Sequence, residues 1–529
     1  MKNYLFVFLL LNIFFSSRSI DAQNSNSLPT IEKKTGFSHL MVNGKPWIML
    51  SGELHNSSAS DLQYMSPIWD KLVDMHLNTV IATVSWELFE PVEGKYDYTL
   101  VDGIIKGARE HQLKLVLIWF GTWKNTWSTY APEWVKTDLK RFPRMQTKPG
   151  ENSGALSAFG GKTCIADARA FTELMKHIGE IDSKDQTVLM MQVENETGVL
   201  NTSRDRSDLA ETEFIKPIPV ELSNFLKVNS TSLMPEMKAV LSSTGELKGN
   251  WQDVFGASAD EMFQAWFTAK YVGQVCSAGK AAYNIPMYVN AWLDPSFAES
   301  PKTEYPSGGP VSRVLDVWKA AAPSIDLFAP DIYLDDFKRV CKIYHQAGNP
   351  LFIPEAQRDA RAAANVYYAL GQHNAICFAP FGIDGVKDIQ SIVKVYGSLE
   401  GFLPFFAQKQ GSKNNVGLLY SGDKTELIEL GGYKIKITYN QQRDEEKKQP
   451  EAGGLILNTA PGEFYIAGFG FRAVFETLDQ KGWVEFLSHD EVVFEKGICK
   501  PLRRMNGDEM EVNIGSAPSI QKVRVQTIK

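Results

Sequence analysis

From about residue 45 to 410 the chain alternates between short apolar runs and amphipathic segments. Runs of strand length cover residues 47–54, 79–84, 113–120, 187–193, 286–291, 326–329, 351–353 and 375–379. Continuous apolar runs of this length suit parallel strands buried on both faces. The segments between them carry helical spacing. Residues 62–75 turn Tyr64, Ile68, Leu72 and Met75 inward, and further helices are predicted over 101–111, 166–181, 311–321, 335–346, 359–371 and 386–407. Ser258-Ala259-Asp260-Glu261 has the capping-box pattern and opens a helix running to about residue 278. Residues 199–257 interrupt the alternation as an insertion of mixed polarity with short helices. Eight strand–helix units predict a parallel sheet, and that number predicts closure into a (β/α)8 TIM barrel over residues 30–410. An open doubly wound sheet is the alternative. No Gly-rich phosphate loop follows any run, which argues against that sheet and against nucleotide binding.

Beyond residue 410 the pattern changes to short runs of strand character at 416–420, 425–430, 433–439, 454–457, 463–467, 471–477, 483–488, 492–494, 509–514 and 522–527. Gly431-Gly432 and Gly453-Gly454 read as turns. Residues 411–529 are therefore expected to form a C-terminal β-sandwich. The charge run at 443–448 is expected to be a solvated hairpin tip.

The N-terminus differs from both regions. Lys2 precedes an apolar run at 4–15 and a small, polar stretch at 16–22, the pattern of a signal peptide over residues 1–22, cleaved after Ala22. The run is too short to span a bilayer. A periplasmic or secreted protein with no integral membrane segment in its mature chain is the expectation. The 529 residues are 44% hydrophobic, enough for more than one domain. Net charge is −7 with acids and bases mixed, so no nucleic-acid surface is expected. Five cysteines stand far apart with no CxxC pair, so buried free thiols are expected and a zinc site is not. The sequence contains no HExxH and no GxSxG, and neither a metal nor a cofactor is predicted.

Polar residues collect where the apolar runs end. The run at 187–193 ends in Glu194-Asn195-Glu196, and Leu351-Phe352-Ile353-Pro354 ends in Glu355. A closed barrel brings such tips together at its C-terminal end. Glycoside hydrolysis needs two carboxyl groups flanking one bond, one protonated and one ionised. Glu196 and Glu355 are the candidate catalytic pair; a strand-end salt bridge is the plain alternative for either one. Asn195 offers an amide to a sugar hydroxyl. Glu194 points to the opposite side by strand alternation and is expected to be scaffold. Trp123 and Trp292 stand near run ends, and Trp119, Trp123 and Trp127 crowd one stretch. Tryptophan beside carboxylate and amide suits a sugar, whose C–H face stacks on an aromatic ring; core packing is the alternative. Glu53 and His55, at the end of the first run, complete the candidate substrate contacts.

Gly52-Glu53-Leu54-His55, Trp86-Glu87-Leu88-Phe89-Glu90-Pro91 with Gly94-Lys95-Tyr96-Asp97-Tyr98, and Gln192-Val193-Glu194-Asn195-Glu196-Thr197-Gly198 resemble glycoside hydrolase family 35, mostly β-galactosidases of the retaining (β/α)8 clan. The C-terminal part resembles a β domain of a bacterial branch of that family. The resemblance implies a two-step mechanism with Glu196 as acid/base and Glu355 as nucleophile. It also implies that Tyr333 holds the nucleophile. Common family members carry Cys-Ala-Glu after strand three; this chain has Gly121-Thr122-Trp123-Lys124-Asn125, so the residues reading the sugar's 4-hydroxyl differ. The expected function is an exo-acting β-galactosidase on oligo- or polysaccharides, including plant polysaccharide side chains. An arabinosidase or β-glucosidase is the nearest alternative. A non-catalytic carbohydrate-binding protein is the more distant one, and the presence of both carboxylates argues against it.

Overall fold

The computed structural model describes residues 27–529 except 245, 296–303, 347, 386–389, 412 and 441–451. The expected signal peptide and the charge run at 443–448 lie outside the described residues. Eight parallel strands form a closed barrel in chain order: Met49–Glu53, Thr79–Ser85, Lys114–Lys124, Val188–Asn195, Met287–Trp292, Leu327–Ile332, Phe352–Ala356 and Cys377–Pro380. The fourth strand is buried at every position, as a sheet covered on both faces requires. Helices follow each strand, the longest being Gly161–Asp182 and Ala259–Ala282, which pack on each other. The insertion after the fourth strand holds the short helices Asp208–Phe214, Val220–Val228, Pro235–Thr244 and Trp251–Phe255. Among the described residues no helix is long and apolar enough to cross a membrane.

An N-terminal three-stranded sheet, Thr30–Lys34, Phe37–Val42 and Lys45–Trp47, was not foreseen from the pattern. It closes the N-terminal foot of the barrel. Its Leu40 and Val42 join Met49, Ile81, Val116, Leu189, Tyr288 and Phe352 in the interior core. Polar contacts fix it there: the Asn43 N–H donates to Gln186 Oε1 at 3.1 Å, and Trp47 Nε1 donates to Thr79 Oγ1 at 3.2 Å.

Local details correct four expectations. In the helix Leu62–Asp74 the inward stripe is Met65, Trp69 and Leu72, while Tyr64 is 61% exposed. Asp61 caps the Tyr64 N–H, and the helix is phased so that the ring faces solvent. The third strand does not end with its apolar run at residue 120 but continues to Lys124. Ser258 makes no side-chain cap on the helix Ala259–Ala282, because it ends the 3₁₀ turn Gly256–Ser258 and already has helical backbone angles, φ −90° and ψ −1°. Asp260 takes Arg204, Arg206 and Ser203, and Glu261 accepts from Tyr305. Gly453-Gly454 is not a turn but the start of the strand Gly453–Ala460. A Cβ at Gly453 would strike Ala364 of the helix Ala360–His373, so glycine there permits close helix–sheet approach.

The C-terminal region comprises two antiparallel sheets. One has six strands in the order Asn415–Leu419, Gly453–Ala460, Glu463–Phe469, Ser519–Ile528, Trp483–Glu495 and Ile498–Arg504; the other has Thr425–Leu430, Tyr433–Tyr439, Phe471–Thr477 and Val512–Ile514. Ile456, Phe464, Ile466 and Val523 of the first sheet share a core with Ile435, Ile437, Phe471 and Val512 of the second. Gly431 and Gly432 do form a turn, both at positive φ. All five cysteines are free, four of them buried.

Candidate active site

The tip of the fourth strand is held in an unusual backbone. Glu194 and Glu196 have φ of 63° and 43°, in the left-handed region that non-glycine residues seldom enter. Such conformations persist only where the surroundings fix them. Here the end of the third strand does so. Its register against the fourth jumps from Trp119 opposite Val193 to Lys124 opposite Asn195. The displaced residues present two N–H groups to the Glu194 carboxylate, from Thr122 at 3.1 Å and Trp123 at 2.6 Å. Glu194 is thus scaffold, as strand alternation required. Burial, then the neighbouring Asp167, pushes its pKa well up. The turn after the strand finishes the clasp, with the Asn125 N–H donating to Asn195 O and the Thr126 N–H to Glu196 O, each at 3.2 Å.

At the C-terminal ends of the strands the expected pair meets. One carboxylate oxygen from each of Glu196, Asp331 and Glu355 lies within 4.8 Å of the others, and all three residues are buried. Tyr333 donates its hydroxyl to Glu355 Oε2 at 2.7 Å, leaving Oε1 unpartnered. Asn290 links the neighbours: its Oδ1 accepts the Glu196 N–H at 2.9 Å, and its Nδ2 donates to Asp331 Oδ2 at 2.8 Å. Asn125 Nδ2 donates to Glu196 Oε2.

Four carboxyls cannot all ionise in so small a buried volume. Burial, then the Glu355 charge, pushes Glu196 up to about 8, against the pull of the Lys124 ammonium. Asp331 is raised well above the usual carboxylate range by burial and by Glu355, Glu196 and Glu53. Glu53 is raised likewise, by burial first and Glu355 second. Both Glu53 oxygens and both Asn195 amide atoms are buried without a partner. Unsatisfied polar atoms at one end of a barrel mark the room a ligand's hydroxyls would fill. Glu196, Asp331 and Glu355 are also the group, among the described residues, able to hold a cation, but a cation would ionise all three and remove the proton donor.

The remaining candidates separate. Trp292 stands level with Asp331 in the sheet register and is 36% exposed, on the rim. His55 leans on Asp384, Nδ1 to Oδ1 at 3.0 Å, with Arg358 beyond its other nitrogen. Trp123 does not reach the pocket and is corrected to a core residue. It is buried against Tyr271 of the helix Ala259–Ala282, and its Nε1 donates to Leu156 O at 3.0 Å. Alternation along the extended third strand turns it outward and turns Lys124 in. Lys124, Asn125, Asn290 and Asp331 were not among the expected site residues. Asn290 and Asp331 end strands in polar side chains, the signal that pointed to Glu196 and Glu355.

Residues 62–284 match the family model described as Beta-galactosidase, glycoside hydrolase family 42. That is a different family from the family 35 suggested by the strand motifs, and the correction keeps the enzyme class. Residues 392–515 match a domain of unknown function, DUF5597. No curated protein matches the chain by sequence. Similar solved structures include the β-galactosidase of Marinomonas ef1, at 11% identity and TM-score 0.48, covering 69% of this chain and 62% of that one. The β-galactosidase of Bacillus circulans sp. alkalophilus has 14% identity and TM-score 0.45, covering 67% of this chain and 56% of that one. The chain thus spans less than two thirds of the length of these structures, and at such identities they add nothing to the topology already described. Residues 62–284 are thus similar to a β-galactosidase domain, and that stretch contains Glu196 of the carboxylate cluster.

Proposed function

We propose that the chain is an exported, retaining exo-glycosidase that releases terminal β-galactosyl residues from oligo- or polysaccharides. The observation that carries this reading is the Glu196–Glu355 pair, oxygens within 4.8 Å, with Glu196 protonated up to about pH 8. Retaining enzymes hold their two carboxyls about 5–5.5 Å apart, whereas inverting ones leave about 6.5–9.5 Å for a water. In the first step Glu355 Oε1, which has no protein partner, attacks the anomeric carbon. Glu196 gives its proton to the glycosidic oxygen, the C–O bond breaks, and a glycosyl ester of Glu355 forms. Tyr333 steadies the nucleophile through its other oxygen. In the second step Glu196, now ionised, takes a proton from water as the water attacks the same carbon, and Glu355 leaves. Asn195, Glu53 and Lys124 are the groups available to sugar hydroxyls.

The sugar rests on the family description, and export rests on the N-terminal pattern. A second reading, an arabinosidase or β-glucosidase with the same two-step chemistry, rests on the polar pair Lys124 and Asn125, which the third strand and the turn after it bring beside Glu196. Proton NMR of an aryl β-galactoside during turnover tests the proposal. The β-anomer of galactose should appear first; the α-anomer first would contradict it, and faster cleavage of an aryl arabinoside or glucoside would favour the second reading.

A further inference from the structure

Glu196 must protonate an oxygen whose other substituent lies on its own side of the bond, so the leaving group settles beside it. The chain just past Glu196 and the turn that is hydrogen-bonded to its backbone both lead into one hollow of about 230 Å³. One wall begins at Thr126, whose N–H donates to Glu196 O, and continues into Trp127. The other wall is Val199 to Asn201, just past Glu196, where Val199 exchanges two backbone hydrogen bonds with Ser307 at 3.0 and 2.9 Å. The hairpin Arg144–Lys148 and Glu151–Leu156 closes the far side with Met145, Thr147 and Asn152.

Trp127 is 42% exposed, although its side chain is large and apolar. Its indole lies on Gly154, where an added Cβ would strike the six-membered ring. The hairpin therefore backs one edge of the ring, at Cε3 and Cζ3, and holds the indole in place. A flat, exposed, backed aromatic ring suits the C–H face of a sugar. Polar side chains surround it, and Glu151 is the charged one among the lining residues. A neutral sugar fits that lining; an anionic one would meet a carboxylate. The hollow is smaller than drug-sized pockets of roughly 300–1,000 Å³, so it holds one ring rather than a long chain.

We propose that this hollow is the subsite for the first sugar of the leaving group, with Trp127 as its stacking platform. The assignment rests on the glycosidase reading, and its test separates the two. The kcat/KM of wild type, Trp127→Ala and Trp127→Phe is measured on β-galactosyl fluoride, whose leaving group is one atom, and on β-1,3-, β-1,4- and β-1,6-galactosyl disaccharides. Trp127→Ala should lose at least about tenfold more on the preferred disaccharide than on the fluoride, the scale of one lost aromatic anchor. The loss should fall mainly on KM, and Trp127→Phe should restore most of it. Leu200→Trp, which fills the hollow instead of emptying it, should show the same selective loss if Trp127→Ala does not fold. Equal losses on both substrate types, or a wild type that cleaves the fluoride and no disaccharide, would overturn the subsite. A wild type inert on every substrate would overturn the glycosidase reading itself.

Discussion

The two ends of the barrel are built from the same eight strands, yet unpartnered polar groups gather at one of them, with His39 Nε2 as the exception at the foot. At the foot, Leu40, Val42, Met49 and Leu189 pack without polar atoms, and Asn43, Trp47, Thr79 and Gln186 at its edge are hydrogen-bonded. At the mouth, Glu53, Asn195, Asp331 and Glu355 are buried with polar atoms left unpartnered. Burying such a group unpaired costs about 1–3 kcal/mol. A fold tolerates this where something else supplies the partner, and consistency breaks first at functional sites. Glu194 repeats the contrast within one strand: two residues from Glu196 and equally strained, it is satisfied by two N–H groups and belongs to the foot's logic.

Substitutions at the two ends should therefore separate activity from stability. The largest effect is expected for Glu355→Ala, which should lower kcat by at least about 10⁴-fold, as removal of a nucleophile does, while its melting temperature does not fall. Glu196→Ala should cost about 10²–10⁴-fold in glycoside cleavage, the scale of general acid–base catalysis. Added azide should partly rescue it on activated aryl galactosides. In wild type, kcat/KM should fall as pH rises through about 8, where Glu196 loses its proton. At the foot, Leu40→Ala should destabilise by about 2–5 kcal/mol in denaturant titration and leave kcat unchanged; a lost kcat with normal stability would break the comparison. Glu194→Ala orphans two buried N–H groups at about 1–3 kcal/mol each, so stability should drop before chemistry does.

A further effect is on the pH dependence of stability. Glu53, Glu196 and Asp331 have raised pKa values in the fold, so the folded chain keeps protons that the unfolded chain releases above about pH 4. Stability should then be greatest near the acid end of that window and decline as pH rises through about 8. Glu53→Gln, with one carboxyl fewer, should flatten the decline measured by thermal melts.

The barrel was legible because its strands are apolar on both faces and several carry a polar residue at or near the C-terminal end. Glu196, Glu355 and Asn195 were legible for the same reason, since a buried run that stops in a carboxylate has one place to deliver it. The bulge at the end of the third strand was not. It exchanges which residues face inward, putting Lys124 at the site and Trp123 behind it, and it depends on Glu194 of another strand. The N-terminal sheet escaped because only Leu40 and Val42 enter the interior core, too few to give a pattern. The strand Ile498–Arg504 escaped because it is an edge strand exposed at nearly every position. The insertion's short helices were foreseen in kind, but the hollow beside Trp127 joins segments that only the fold brings together.

The central claim is that Glu355, and not its neighbour Asp331, forms the bond to the sugar. It is tested most directly by inactivating the enzyme with 2-deoxy-2-fluoro-β-galactosyl fluoride and locating the adduct by peptide mass spectrometry. The account predicts one covalent label, on Glu355, which appears normally in Glu196→Gln and is absent in Glu355→Gln. A label on Asp331, or an active enzyme that carries no label at all, would contradict it.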